Sequence, residues 1–469
     1  MSILEIIDSP LLRQYVVVTL VNLSAVATGM GLGWPSPVIV KLSDTNQTVL
    51  PEPITQNQGS WIVSIGLLTN MATNFFVVQL IVDRLGRRNS MILVTIPKIV
   101  ACFMFIFVGD VWVLLVGRAF LGVGEVGTFT ILPMYSSEVA SKEIRGSLGV
   151  MQQIMTSAGV LIMLSMGPFV SYVTLNTVLT IITVLSYIPL FILPESPYFL
   201  YSRGRKDETL KVLMLLRGTE DIANEEMKDY EIAAQKHKGS ISKIEILKNP
   251  LFRKSLALVC LLAFGAQFSG LNAVSAYLQT ILESTQTSVR PEIASVIIGS
   301  IQMFASICTT LVTDRFGRKV IMVSTTFGMA LGMLGLGTFF RLRDVGVTVG
   351  FMNYVPLISL ILLVFCNGAG VGSLLWILNA ELFDDRSRGF GMPIGVTVTS
   401  ICMFLTTKYF ASVITALGPD VTYWIFSGNC LLFALFIFFC IPETKGKSFL
   451  EIQESLGRKR NKKYSSVRV

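Results

Sequence analysis

Charge is scarce in this chain of 469 residues: 14% are Asp, Glu, Lys or Arg, against 52% hydrophobic. Soluble domains carry about 25% charge, so an ordinary soluble fold is excluded and the bilayer is the solvent. Histidine is scarcer still. With His237 alone there is no HExxH pair, and no acylating serine motif stands in its place. The chain therefore shows no enzymatic machinery, and no cofactor or metal is called for. A cleavable leader is not legible, since MSILEIIDSPLLRQ sets acids and a proline where a basic segment should precede a short apolar core. Cysteine offers no staple: Cys102, Cys260, Cys308, Cys366, Cys402, Cys430 and Cys440 lack CxxC spacing and all fall in apolar runs. They read as reduced, buried small hydrophobes.

Long apolar runs are what the chain does have. A spanning helix needs ~20 mostly apolar residues, and such runs lie near 15–38, 59–82, 90–109, 112–136, 147–170 and 174–193. After a polar stretch, six more follow near 253–280, 293–313, 320–340, 351–378, 392–414 and 421–441. Strand-like alternation is missing, so helices and not a barrel are implied. The reading is an all-α membrane protein of about twelve transmembrane helices. It divides into a six-helix bundle over 1–193, a linker over 194–252, a second bundle over 253–441 and a tail over 442–469. The linker text RKDETLKVLMLLRGTEDIANEEMKDYEIAAQ mixes charge with apolar residues at helical spacing, as short amphipathic helices do.

The net charge of +8 is placed, not spread. Lysine and arginine gather at RLGRR (84–88), SKEIRG (141–146), 203–254, RFGRK (315–319), DDRSRG (384–389) and the tail GRKRNKKYSSVR. These are alternate links, hence one side, and the positive-inside rule makes that side and both termini cytoplasmic. Topology explains the basic residues without a nucleic-acid partner. On the other side, Asn46-Gln47-Thr48 is a glycosylation sequon.

One signature occurs twice. Asp83-Arg84-Leu85-Gly86-Arg87-Arg88 returns as Asp314-Arg315-Phe316-Gly317-Arg318-Lys319. Glu138 precedes Arg145-Gly146 by seven residues, as Glu381 precedes Arg388-Gly389. Pro194-Glu195-Ser196 closes the first half and Pro442-Glu443-Thr444 the second. Two halves in parallel repeat with a mid-membrane site between them is a transporter design in which one half rocks against the other. Each motif can gather guanidinium groups and carboxylates where helices leave the membrane, the planar arginine fork bridging two acceptors. Asp83, Arg84, Arg87, Arg88, Glu138, Arg145, Asp314, Arg315, Arg318, Glu381 and Arg388 are on this basis candidate cytoplasmic gates that lock the halves together. Two other patterns are decoys. Gly122-Val123-Gly124-Glu125-Val126-Gly127 matches GxGxxG but lies in a membrane helix with no preceding strand, where close helix packing explains it. Gly446-Lys447-Ser448 would need its leading glycine at Ile441.

Along its length the chain resembles the sugar porters of the major facilitator superfamily, and among them the insect facilitated trehalose and hexose transporters. The resemblance is carried by DRLGRR (83–88), GRAFLGVGEVG (117–127), PMYSSEVASKEIRG (133–146), PESPYFL (194–200), QFSGLNAVSAY (267–277), DRFGRK (314–319), GVGSLLWILNAELF (370–383) and PETKGKS (442–448). It implies the major facilitator fold, two pseudo-symmetric six-helix bundles with short cytoplasmic helices between them, in a monomer of the plasma membrane. It also implies that sugar is held by Gln153, Gln267, Asn272, Gln302 and Trp376. The chemistry agrees: a carboxamide offers a donor and an acceptor without charge, and tryptophan offers an apolar face with an N–H. Amides in membrane helices also bind helix to helix, at ~0.6 to 2 kcal/mol each. Where many relatives have a second glutamine this chain has Ala266, and where many have a tryptophan on the eleventh helix it has Ser400. Hexose, disaccharide and other polyol therefore stay open as substrates.

Proton-driven relatives carry an acid in the first helix, at a position that aligns with Gly31, so the expected mechanism is uniport by alternating access. Two charges inside the spans, Lys98 and Glu125, complicate this. A lone charge at the helix centre costs ~2.5–3.5 kcal/mol, so a Lys98–Glu125 ion pair is expected, with Arg118 as a competing partner. The alternatives are a proton-coupled symporter using Glu125, a carrier of organic ions, and a transporter-like sugar sensor, the last disfavoured by the short tail.

Overall fold

Several helices begin where a polar side chain takes over an orphan backbone N–H. Ser9, Asp110, Ser171, Ser196 and Asn249 each accept a hydrogen bond from an amide two or three residues on, and a proline follows at Pro10, Pro197 and Pro250. These are the preferred residues for a helix start. The computed structural model describes residues 7–77, 81–141, 144–237, 243–287, 289–346, 350–383 and 387–445. Side chains at 75–77, 145–147, 149–150, 233–237, 243–244, 310–315, 380 and 388–389 lie outside the described residues.

Among the described residues twelve helical spans follow one another, in two sets of six. The first set is α1 (Pro10–Gly33, running on as Pro35–Ser43), α2 (Gln56–Val77), α3 (Arg87–Ile106), α4 (Val111–Val126 continuing to Val139), α5 (Arg145–Met166) and α6 (Tyr172–Tyr187). The second is α7 (Pro250–Gln267, then Leu271–Ala276 and Leu278–Thr285), α8 (Pro291–Phe316), α9 (Arg318–Asp344), α10 (Val355–Cys366 continuing to Glu381), α11 (Arg388–Leu417) and α12 (Pro419–Cys440). Ten of these meet both the length and the hydropathy of a membrane crossing, and within α5 Met151–Met166 is a shorter apolar helix. Large apolar side chains such as Ile181, Leu185, Phe327, Leu331, Leu432 and Leu435 are exposed, as suits helices whose outer faces meet lipid.

The repeat in the sequence is also a repeat in backbone. α4 carries a π-helical turn at Gly127–Ile131 and α10 one at Asn367–Val371. Such turns aim side chains off the regular helical register and recur at functional sites. The glycines of the GxGxxG pattern lie against neighbouring helices: a Cβ on Gly122 would stand 2.1 Å from the Gly66 carbonyl oxygen, and one on Gly124 2.5 Å from Lys98 Cβ.

The chain divides into two compact units. The first takes in Met1–Ser240 with Asn272–Ser306 and Phe404–Val413; the second takes in Ile241–Leu271, Ile307–Met403 and Ile414–Val469. In the first unit the linker helices Pro197–Ser202, Lys206–Arg217 and Glu220–His237 are held to the spans by hydrogen bonds. Gln14 Nε2 donates to Leu216 O at 2.8 Å, Arg13 to Leu215 O at 2.9 Å, and Arg217 to Val139 O at 2.8 Å. Arg217 also pairs with Glu226 at 2.7 Å.

Candidate functional site

The motif QFSGLN breaks α7. Gln267 is the last residue of one helical piece, Gly270 takes φ +82, and Asn272 stands at the start of the next piece. Only glycine fits there, both for its backbone and because a Cβ would lie 2.6 Å from the Phe426 ring. A discontinuous helix is where carriers place binding groups, because freed backbone must line a cavity or be buried in protein. Gln267 belongs to the second unit and is buried; Asn272 belongs to the first and is half-buried.

Gln153 and Gln302 both fall in the first unit. One turn on from each, Ser157 Oγ and Ser306 Oγ meet at 2.8 Å. Residues four apart share a helix face, so the faces that carry the two glutamines meet at this serine contact. Gln153 itself is exposed and Gln302 half-buried. Sequence reasoning passed over Ser157 and Ser306, since serines are frequent in these spans. Gln152 behaves differently: its amide donates to Thr128 O at 2.9 Å, a structural contact.

In the second unit, Trp376 follows the π turn of α10 and is 46% exposed. It lines a narrow crevice with Val259, Leu262, Ala263, Leu375, Asn379 and Thr399. Asn379, one turn on, was not anticipated. Its Oδ1 is buried with no hydrogen-bond partner among the described residues, a state that costs about 1–3 kcal/mol. Gly395 opposite makes room for it, since a Cβ there would stand 2.7 Å from that oxygen. Ser400 turns inward to its own helix, donating to Val396 O at 3.0 Å.

The duplicated motifs build two clusters, one in each unit, each at the basic end of its own helices. In the first unit, Gly86 takes φ +92, and Glu195 Oε1 accepts from the backbone N–H of Arg87 at 2.9 Å, Arg88 at 3.0 Å and Ser196 at 2.9 Å. Arg87 grips Glu138 through Nε at 3.1 Å and Nη2 at 2.9 Å, and Ser196 Oγ donates to the same carboxylate. Arg88 donates to Leu193 O at 2.9 Å; Asp83 and Arg84 are exposed. In the second unit, Gly317 takes φ +85, and Glu443 accepts from the backbone N–H of Arg318 at 3.0 Å, Lys319 at 3.2 Å, and Thr444 and Lys445 at 2.9 Å. Arg318 lies 3.8 Å from Glu381. Both glutamates sit at a helix N-terminus, where the dipole and free N–H groups favour an anion. Each cluster thus closes within its own unit. The motifs marked Glu195 and Glu443 only as the ends of the halves; their role as anchors appears in the fold. The side chains of Arg145, Asp314, Arg315 and Arg388 lie outside the described residues.

The three buried charges of the first half do not form the expected direct pair. Lys98 Nζ donates to Thr28 Oγ1 at 2.7 Å and approaches the Tyr187 hydroxyl at 3.4 Å. Arg118 directs its donors to the carbonyls of Ile62 at 3.0 Å, Gly31 at 3.3 Å and Val63 at 3.4 Å, with its guanidinium over the Trp34 ring. Glu125 is buried within the field of both cations, without an ion-pair contact to either among the described residues. Its carboxylate faces Gly31, whose Cβ would lie 3.7 Å from Oε1. Similar depth along two helices does not fix how each is rotated, and rotation decides which polar group a side chain meets.

A third intramembrane cation escaped the sequence reading. Lys408 on α11 is 8% exposed, donates to Asn57 Oδ1 at 2.9 Å and Ser60 Oγ at 2.6 Å, and lies 4.3 Å from the Trp61 ring centroid. A desolvated cation over indole is worth about 2 kcal/mol or more, enough to offset much of the cost of burial. Its signal was a lysine, TTKYF, inside an apolar run.

Two repeated six-helix sets, matched π turns and a broken seventh helix with amides on both sides define a membrane carrier of the major facilitator fold. The chain belongs to the sugar (and other) transporter family, whose model matches residues 21–456; it is a multi-pass transporter of small-molecule sugars and not an enzyme. It is similar to the facilitated trehalose transporter Tret1 of Polypedilum vanderplanki, at 29% identity over 93% of this chain and 86% of that protein. Tret1 of Aedes aegypti is 28% identical over 93% of this chain, which spans only 54% of that longer relative. Among solved structures, the inward open conformation of the xylose transporter XylE from E. coli shares the fold at a TM-score of 0.78 and 21% identity, over 94% of this chain and 99% of that one.

Proposed function

We propose that the chain moves trehalose or a hexose across the plasma membrane by facilitated diffusion, the halves 1–193 and 253–441 rocking about the sugar and the linker 194–252 joining them. The observation that carries this is the break of α7 at Gly270 between two uncharged amides, Gln267 and Asn272. Gln153 of α5 and Gln302 of α8, on faces joined by the Ser157–Ser306 contact, add two more, and the exposed Trp376 offers an apolar face for a sugar's C–H bonds. The names of its insect relatives favour trehalose and a passive mechanism. The basic-end clusters serve as gates, keeping the helix ends of each half rigid so that the halves dock and part as bodies. The basic end and both termini face the cytoplasm by the positive-inside rule. Exposed Asn46, whose N–H bonds to Asp44 at 2.9 Å, carries glycan on the other face. The carrier works as a monomer without nucleic acid.

Uptake of labelled trehalose and glucose into vesicles, with and without an imposed pH gradient, tests this reading. Sugar should equilibrate and not accumulate, whatever the gradient. A gradient-driven rise abolished by Glu125→Gln would overturn the passive mechanism, and uptake of neither sugar would remove the sugar reading. Gln153→Leu and Gln267→Leu should each raise the half-saturating sugar concentration roughly tenfold, the scale of one or two lost hydrogen bonds.

A further inference from the structure

Lys408 does not stand alone. Three residues along α11, Ala411 O accepts from Gln56 Nε2 at 2.8 Å. One turn the other way, the Phe404 ring lies 6.2 Å from the Trp61 ring. Residues 404–411 of α11 thus clasp the first turns of α2 within the first compact unit, at the end of that helix away from Gly86. All the groups that hold the ammonium are neutral, and no ion pair involves Lys408 among the described residues.

That neutrality is informative. A buried carboxylate partner would be left bare and dry whenever the lysine moved away, which makes a buried ion pair a poor contact to break repeatedly. An amide, a hydroxyl and an indole ring hold the cation while the site is dry and leave no stranded charge when it swings into water. An ionisable residue inside a membrane span is a functional candidate by default. α2 and α11 belong to different six-helix sets, so in an alternating-access cycle their contact must part before substrate can enter from that end.

We propose that Lys408, caged by Asn57, Ser60 and Trp61, is the latch that holds the outer end closed, acting as a positioning residue that sets the balance between outward-closed and outward-open states. It touches no substrate. The inference rests on the carrier reading above.

Influx and efflux of labelled trehalose in cells expressing the full chain, each measured with no sugar on the receiving side, test it. Loss of the latch populates the outward-open state, so Lys408→Gln should lower the half-saturating concentration for influx about three- to tenfold and raise that for efflux by a similar factor. Trp61→Leu should do the same, and the double variant should add little to either single one. Lys408→Arg and Trp61→Phe, which keep the cation and the ring, should stay near the parent protein. Unaltered half-saturation in both directions for a variant that reaches the membrane overturns the latch, as does an equal loss of capacity both ways, the mark of a merely structural role. Should Lys408→Gln fail to fold, Trp61→Leu decides between latch and structural contact by the same criteria. A passive carrier must keep kcat/KM equal in the two directions. A parent protein that violates this equality loses the passive reading, while opposed shifts in the variants still report on the latch.

Discussion

At the start of α3, Glu195 gathers three backbone N–H groups beside a glycine of positive φ; at the start of α9, Glu443 gathers four beside another. The side chains around these two anchors differ more. Arg87 holds Glu138 with two prongs, the nearer at 2.9 Å, and Ser196 occupies the second carboxylate oxygen. Arg318 stays 3.8 Å from Glu381, leaving Arg318 Nε and Glu381 Oε2 buried without partners among the described residues. A backbone device needs only a glycine and a carboxylate in the right register, so duplication preserved it. A guanidinium pair depends on every neighbour that dries or props it, and those diverged. Among the described residues each cluster keeps a buried oxygen without a partner, Glu195 Oε2 in the first and Glu381 Oε2 in the second, but the Arg318–Glu381 pair is the longer and more exposed of the two and can change at small cost.

The sharpest test of this contrast removes the acids. Glu138→Ala strands a buried Arg87 and should cost about 3–5 kcal/mol, whereas Glu381→Ala, at a longer and wetter pair, should cost about 1 kcal/mol or less. Thermal unfolding of the purified protein in detergent reads both, and equal losses would dissolve the distinction. The shared part is tested at the glycines. Gly86→Ala and Gly317→Ala each force an L side chain into a region nearly reserved for glycine, at about 1–3 kcal/mol, and against a carboxylate 2.4 Å and 2.7 Å away respectively. Both should be destabilised alike; tolerance of one alone would show that the plan is not common.

The smallest effect concerns pH. Burial pushes the Glu443 carboxyl up, but N–H donors from Lys445, Arg318, Lys319 and Thr444 outweigh it and hold the group below the usual carboxylate range. Its charged form therefore stabilises the fold above the free glutamate value of about 4.3, and that contribution fades as pH falls through the lower folded-state value. Glu443→Gln should lower stability at neutral pH and flatten its decline in acid. An unaltered acid limb would mean that the carboxylate charge adds nothing there.

Hydropathy located the helical spans, ten of which meet the length and hydropathy of a membrane crossing among the described residues, because each must meet lipid over its own length whatever its neighbours do. The paired motifs fixed the two halves for a similar reason: a repeat is written along the chain. The edges were less legible. α1 begins at Pro10 and the seventh span is broken at Gly270, since an N-cap and a left-handed glycine override an apolar run that reads as continuous. Glu195, Glu443, Asn379 and Lys408 were all visible as letters, but nothing adjacent to them told what they would meet.

The amino-acid sequence determined the solvent of this protein, the number and order of its helices and the duplication that makes two halves, all of which depend on residues close together in the chain. Tertiary structure decided the partners: Lys98 with Thr28 and not Glu125, Arg118 with three carbonyls, Lys408 with Asn57, Ser60 and Trp61. Such choices turn on the rotation and close approach of helices far apart in sequence, where a few ångströms decide whether a polar group finds a donor, a ring or nothing.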